Sequence, residues 1–212
     1  MIAGICVCLQ GQAPQTGDAP VEAKGLPPRL TPADYLSQVR AGALTIAAEF
    51  KGHAVPTLQG PLTSEDYVVV EAGLYGSPDA RVQLSADDFS LRVNGRKPPL
   101  PAQRYGLVVG SLKDPEWEPP EKAASKSKTG LSGGGGGDQR EAGAPPPTVK
   151  IPIPVQRAMA QRVQRAALPE GDRTLPQAGL LFFQYRGKTE TLRSVELIYT
   201  GPAGEATLKL QP

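Results

Sequence analysis

From residue 44 to residue 93 apolar and polar side chains alternate over short stretches, and the alternation returns near the C-terminus. In Leu44-Thr-Ile-Ala-Ala-Glu-Phe50, the residues Leu44, Ile46, Ala48 and Phe50 share one face. In Phe89-Ser-Leu-Arg-Val93, Phe89, Leu91 and Val93 face away from Ser90 and Arg92. A period of two marks a half-buried strand, because successive side chains point to opposite faces. EDYVVVEAGLYG (65–76) is rich in β-branched and aromatic residues and closes at Gly76-Ser-Pro78. ARVQLS (80–85) and RYGLVVGSL (104–112) read as further strands. GLLFFQYRG (179–187), SVELIYTG (194–201) and EATLKL (205–210) finish the chain, with Val195, Leu197 and Tyr199 on one face, and Ala206, Leu208 and Leu210 likewise. Asn94-Gly95 is the strongest hairpin signal, since both residues accept the positive φ of a tight turn. Pro98, Pro99 and Pro101 mark the next stretch as an edge strand or a loop.

Two segments change the period. Thr31 to Arg40 (TPADYLSQVR) predicts a short N-terminal helix, with Thr31 as N-cap, Pro32 in the first turn and Ala41-Gly42 as its end. Residues 153–168 predict an amphipathic helix with Pro154 at its entrance and Pro169-Glu-Gly as its stop. At about 100° per residue, Val155, Met159, Val163, Ala166 and Ala167 cover one arc, and Arg157, Gln161, Arg162 and Arg165 the other. Many short strands that do not alternate with long helices predict a mainly β fold: two antiparallel sheets packed face to face as a sandwich.

Composition divides the chain. Its 24 glycines and 23 prolines among 212 residues gather near the N-terminus and between about 115 and 149. What is left suits one self-sufficient domain. The expected organisation is a signal-like segment at 1–13, a flexible tether at 14–30, and one domain at 31–212 interrupted by a disordered insert at about 116–149. The insert contains KSKTGLSGGGGG (126–137), which sets lysines and hydroxyls beside glycines. A phosphate-binding loop needs a glycine directly before Lys-Ser/Thr, so that backbone amides curl around the anion. Here Lys126 and Lys128 follow serines, so the run reads as slack chain. At the N-terminus an apolar run, Ile2 to Leu9, precedes Gly11-Gln-Ala13, small residues at the spacing a signal peptidase reads. This predicts a periplasmic or secreted protein. Cys6 and Cys8 both lie in that segment, so its removal leaves no thiol. Nothing else approaches the ~20 apolar residues of a membrane-spanning helix.

Candidate chemistry is sparse. A net charge of +2 and 5% aromatics speak against a nucleic-acid partner. His53 is the only histidine, which speaks against a zinc site, and neither metal nor cofactor is expected. The carboxylate pairs Glu65-Asp66 and Asp87-Asp88 precede strands, where neighbouring side chains diverge. A hydrolase using Asp87, Asp88 or Glu65 with His53 is a distant alternative. Trp117, between two glutamates at the root of the insert, is placed to anchor that root or to meet a partner. Arg157, Arg162 and Arg165 offer a cationic helix face to an acidic partner. The chain is thus expected to be a non-catalytic binding module of the cell envelope, meeting a protein partner through Trp117, these arginines or a sheet edge. A structural or accessory role in an envelope or secretion assembly is the alternative.

Three blocks occur together: SEDYVVVEAGLYG, LSADDFSLRVNGRKPPLPAQRYGLVVGSLKDPEWEPP, and AMAQRVQRAALPEGDRTLPQAGLLFFQYRGKTETLRSVELIYTGPAG. They resemble a group of uncharacterised exported proteins of soil bacteria that carry a glycine- and proline-rich insert at the same place. The order of the Tyr-Val-Val-Val, Asp-Asp-Phe-Ser-Leu, Gly-Leu-Leu-Phe-Phe and Leu-Ile-Tyr strands is also similar to small secreted bacterial immunoglobulin-like domains. The resemblance implies an immunoglobulin-like sandwich and an exported location, and it brings no catalytic residues.

Overall fold

The computed structural model describes residues 23–117 and 151–212. The signal-like segment, the first part of the tether and nearly all of the insert lie outside the described residues. In chain order the strands are β1 (Ser37–Ala41), β2 (Leu44–Gly52), β3 (Ala54–Val55), β4 (Leu62–Ser64), β5 (Tyr67–Tyr75), β6 (Arg81–Leu84) and β7 (Phe89–Val93). They continue as β8 (Leu100–Gln103), β9 (Leu112–Lys113), β10 (Gly171–Thr174), β11 (Gln177–Gln184), β12 (Val195–Gly201) and β13 (Gly204–Leu210). The helices are α1 (Tyr105–Val108) and α2 (Ile153–Ala166).

Mainly β and antiparallel, as the alternation requires, the fold departs from the expected pair of sheets. Eight strands form a single sheet in the order β1-β2-β5-β11-β8-β7-β12-β13. The sheet curls until its end strands lie side by side: Ser37 Oγ donates to the Lys209 carbonyl at 2.7 Å, and a Cβ on Gly42 would lie 2.4 Å from the Ala203 carbonyl oxygen. An even number of antiparallel strands lets β1 and β13 meet in opposite directions, and near-closure shelters both edges. A sandwich and a barrel each bury one face of every strand, so alternation alone does not separate them. Ile46, Leu74, Phe89, Leu91, Leu181, Phe183, Leu197 and Tyr199 fill the barrel and are almost wholly buried.

β8 is the weak member of the barrel. It pairs two residues with β11, at Gln103 and Ala102, and two with β7, at Pro101 and Leu100. The prolines had marked this stretch as an edge or a loop, yet β8 sits inside the sheet order. It is short enough that Pro101, without an N–H, removes little pairing. Asn94-Gly95 does form the expected turn, with φ of 50° and 69°, and Arg96 N–H donates to the Val93 carbonyl at 3.0 Å.

Two more expectations are corrected. The N-terminal helix reduces to one tight turn, Pro32–Asp34, where the Thr31 N–H donates to the Asp34 carboxylate at 2.8 Å. The Thr31 cap and Pro32 do start the turn, but from Ser37 the chain pairs with β2 instead of continuing the helix. RYGLVVGSL forms α1 and a further tight turn before the two-residue β9. Its apolar residues Tyr105, Val108, Val109 and Leu112 recur at helical spacing, and all four join one cluster outside the barrel.

Residues 23–30, expected as the end of a flexible tether, form a strap on the barrel. Leu26 N–H donates to the Ala178 carbonyl at 2.9 Å. Arg29 bonds Glu49 at 2.7 Å and Glu71 at 3.1 Å, Lys51 closes the network at 2.6 Å from Glu49, and the Arg29 guanidinium lies 4.2 Å from the Tyr35 ring centre. Gly73 leaves room for Tyr35, whose hydroxyl would lie 2.6 Å from a Cβ there. Burial pushes the Tyr35 hydroxyl above the ordinary tyrosine range.

α2 forms as its periodicity predicts and packs outside the barrel. Met159, Val163 and Ala166 meet Val69 of β5, Leu180 and Phe182 of β11, and Val55, Leu62 and Leu112 of the small sheet β3-β4-β9. Burying Met159 and Val163 contributes about 1.5–3 kcal/mol each.

Candidate functional site

The residues predicted to meet a partner divide between the two sides of α2. Arg162 turns inward. Its guanidinium bonds Asp114 at 2.7 Å and the Gly60 carbonyl at 2.9 Å, and its side chain is only 16% exposed. It therefore clamps α2 to the 57–60 loop and to the root of the 118–150 segment. Arg157 and Arg165 are exposed, and among the described residues neither has an ion-pair partner. Trp117 is half-buried at the end of a turn, its N–H donating to the Asp114 carbonyl at 3.1 Å. Of the five most exposed large apolar side chains among the described residues, three flank α2. Ile153 begins the helix, Leu107 lies on α1, which packs against it, and Leu58 lies on the loop held by Arg162.

A second feature lies where β8 leaves the barrel. After Gln103 the chain turns into α1, and β11 from Gln177 to Leu181 loses its ladder on that side. The exposed β11 carbonyls are met by other segments: Leu168 N–H donates to Leu180 at 3.0 Å, and Leu26 N–H to Ala178. Gly179 permits this, because a Cβ there would lie 2.4 Å from Leu168 Cα and 2.6 Å from Leu168 N. Above the seam opens a cleft of about 510 Å³. Ala167, Leu168, Leu180 and Phe182 supply its apolar floor, and Gln103, Arg104, Gln164, Glu170 and Arg173 its polar rim.

The residues of the conceivable hydrolase do not assemble. β5 begins at Tyr67, opposite Gln184 at the end of β11, so His53 and Glu65 lie at that end of the barrel. Asn94, just after β7, donates to the Thr191 carbonyl at 3.1 Å, and the Thr191 hydroxyl lies 3.1 Å from that of Tyr185, just after β11, so β7 ends near the end of β11, and Asp87-Asp88 precede its opposite end. Both His53 nitrogens lie 2.9 Å from backbone carbonyls, Nδ1 from Tyr67 and Nε2 from Gly187. A neutral ring carries one N–H and can donate to one of them at a time. Glu65 pairs with Lys113. Burial, and next the charge of Asp87, raise the Asp88 pKa above the ordinary carboxylate value. Among the described residues no group of three or more His, Cys, Asp or Glu is placed to hold a metal, and no helix is long and apolar enough to cross a membrane.

Compared with protein-family models, curated proteins and solved structures, the chain matches none.

Proposed function

We propose that this chain is a non-catalytic binding module acting outside the cytoplasm, in the cell envelope, and that it engages a protein partner through the outward side of α2. The observation that carries the reading is that Ile153, Leu107 and Leu58, three of the most exposed large apolar side chains among the described residues, lie on α2 or on elements held against it, and that α2 also exposes Arg157 and Arg165. Exposed large apolar side chains around one element are a mark of interaction surfaces, and arginine is enriched where such surfaces bind most strongly. Arg162 positions the helix by holding Asp114, which begins the turn that ends at Trp117. The export half of the proposal is supported by Ile2–Leu9 and Gly11-Gln-Ala13.

The test uses the full chain, chemically cross-linked in cells and then purified. Reversing both exposed charges, Arg157→Glu with Arg165→Glu, lowers recovery of the partner at least about tenfold relative to Arg40→Glu on β1. Equal loss in the control, or no loss in the double variant, contradicts the assignment. A reporter fused after the natural N-terminus tests export separately, and cytoplasmic retention contradicts that half.

A further inference from the structure

We infer that the hollow at one end of the barrel, between the turn after β7 and the start of β12, binds the phosphate group of a monoester. This site is separate from the outward side of α2 and does not rest on it. Among the described residues the hollow is bordered by Asn94, Arg96, Tyr185, Thr191, Arg193 and Ser194, none of them acidic. Arg96 and Arg193 are both exposed, and neither side chain makes a hydrogen bond or an ion pair among the described residues. The nearby acids are engaged elsewhere: Glu196 pairs with Arg92 at 2.9 Å, and Glu190 borders a different hollow, beside His53. Two cations on one hollow repel each other, and an anion held between them replaces that repulsion with two attractions. Lys97 and Lys188, exposed in the neighbouring turns, extend the positive field, whereas Asp87-Asp88 precede the opposite end of β7.

One side chain fastens the two arginine-bearing turns together. Asn94 Oδ1 accepts from the Arg193 N–H at 2.7 Å and from the Ser194 N–H at 3.1 Å, while Nδ2 donates to the Thr191 carbonyl. The Asn94 backbone N–H donates to the Ser194 carbonyl at 2.8 Å, and Arg96, two residues on, is tied by its N–H to Val93. Backbone fixed before binding lowers the cost of ordering on binding. The donors left over select the ligand. The Thr191 hydroxyl donates to the Lys188 carbonyl at 2.7 Å and accepts from Tyr185, so both of those protons are used within the protein. What remains are two guanidinium forks, the Ser194 hydroxyl and the second Asn94 amide N–H. A carboxylate has two oxygens, which a single arginine fork satisfies. A phosphate monoester has three terminal oxygens and nearly two negative charges at neutral pH, so it takes a fork from each arginine.

The test titrates the full chain with phenyl phosphate and with benzoate, at low and constant ionic strength, followed by calorimetry. Phenyl phosphate binds saturably, and benzoate about tenfold more weakly or less. Arg96→Gln with Arg193→Gln lowers phenyl phosphate affinity at least about tenfold, and the unfolding midpoint holds because both side chains stand in solvent. Arg40→Gln with Arg104→Gln removes the same charge from exposed arginines that do not border the hollow, and binding stays at the parent level. Flotation with phosphatidylcholine vesicles containing phosphatidic acid separates the two sources of the group. Recovery of the parent but not of the Arg96/Arg193 variant assigns a lipid head group, and phenyl phosphate binding without flotation assigns a soluble ester. No phenyl phosphate binding by the folded full chain, equal affinity for benzoate, or equal loss in both double variants would overturn the assignment.

Discussion

β12 and β11 are both inner members of the barrel, and they meet solvent differently. β12 alternates as its sequence does: Val195, Leu197 and Tyr199 are buried, while Glu196 and Ile198 stay partly exposed. β11 is buried continuously from Ala178 to Phe183. The inner faces are equivalent, so the difference lies outside. Around β11 and β5 sit α2, the small sheet β3-β4-β9 and the strap. Over β12 and β7 the outer face carries a cross-strand pair, Arg92 to Glu196 at 2.9 Å, and none of the described elements covers it. Among the described residues, one half of the barrel carries no second layer. The other supports a second layer, and with it the seam, the cleft and the exposed helix face.

The comparison can be broken most severely at Gly179. Gly179→Val drives a side chain into the Leu168 backbone, and destabilisation of about 3 kcal/mol or more is expected from urea unfolding, against roughly 0.5 kcal/mol or less for Gly110→Ala, where a Cβ meets nothing. Next comes the layer itself. Met159→Ala should cost about 2–4 kcal/mol, several times more than Ile198→Ala on the bare half. Arg162→Ala comes third, at about 1–3 kcal/mol, because it strands the half-buried Asp114 and frees the 57–60 loop. A loss confined to protease susceptibility near residues 57–60 and 114–117 would identify the clamp.

The smallest effects are electrostatic and opposite in sign on the two halves. Burial opposes ionisation of Glu49, but hydrogen bonds from Lys51 and Arg29 outweigh it and hold the carboxyl below its ordinary pKa. Its contribution is present above the unfolded carboxylate range and is lost as pH falls through the lowered folded value. Asp88, before β7, is raised instead by burial and by Asp87. Its ionised form therefore costs stability at neutral pH, and the cost disappears as pH falls through its raised value and below the ordinary range. Glu49→Gln should destabilise and Asp88→Asn should stabilise at pH 7. Both differences shrink toward acid pH in unfolding measurements, and the same sign for both would contradict the assigned environments.

Where one face of a strand is wet, the sequence pattern carries the fold directly: β2, β7, β12 and β13 follow their alternation. Periodicity also places α2, because its arginines and its Met159–Val163 stripe separate cleanly. Closure is not encoded this way, since it depends on Gly42 and Gly204 letting β1 meet β13 rather than on any apolar period. α1 was legible in principle from the 105/108/109/112 spacing, and was obscured by a run of β-branched residues between glycines. Of the predicted contact residues, Arg157 and Arg165 are exposed, and Trp117 is half-buried at the end of its turn. Arg162 could not be told from its neighbours, because its partner Asp114 is distant in sequence and carries no local signal. The cleft was illegible for the same reason: its walls come from β8, α2, β10 and β11.

The most direct measurement places a photo-activated cross-linking residue, in cells expressing the full chain, at Leu107 or Ile153 on the layered half and at Ile198 or Thr207 on the bare half. The account predicts a discrete adduct of constant size from Leu107 and Ile153, and none from Ile198 and Thr207. Adducts from the bare half alone, or equally from both halves, would contradict it.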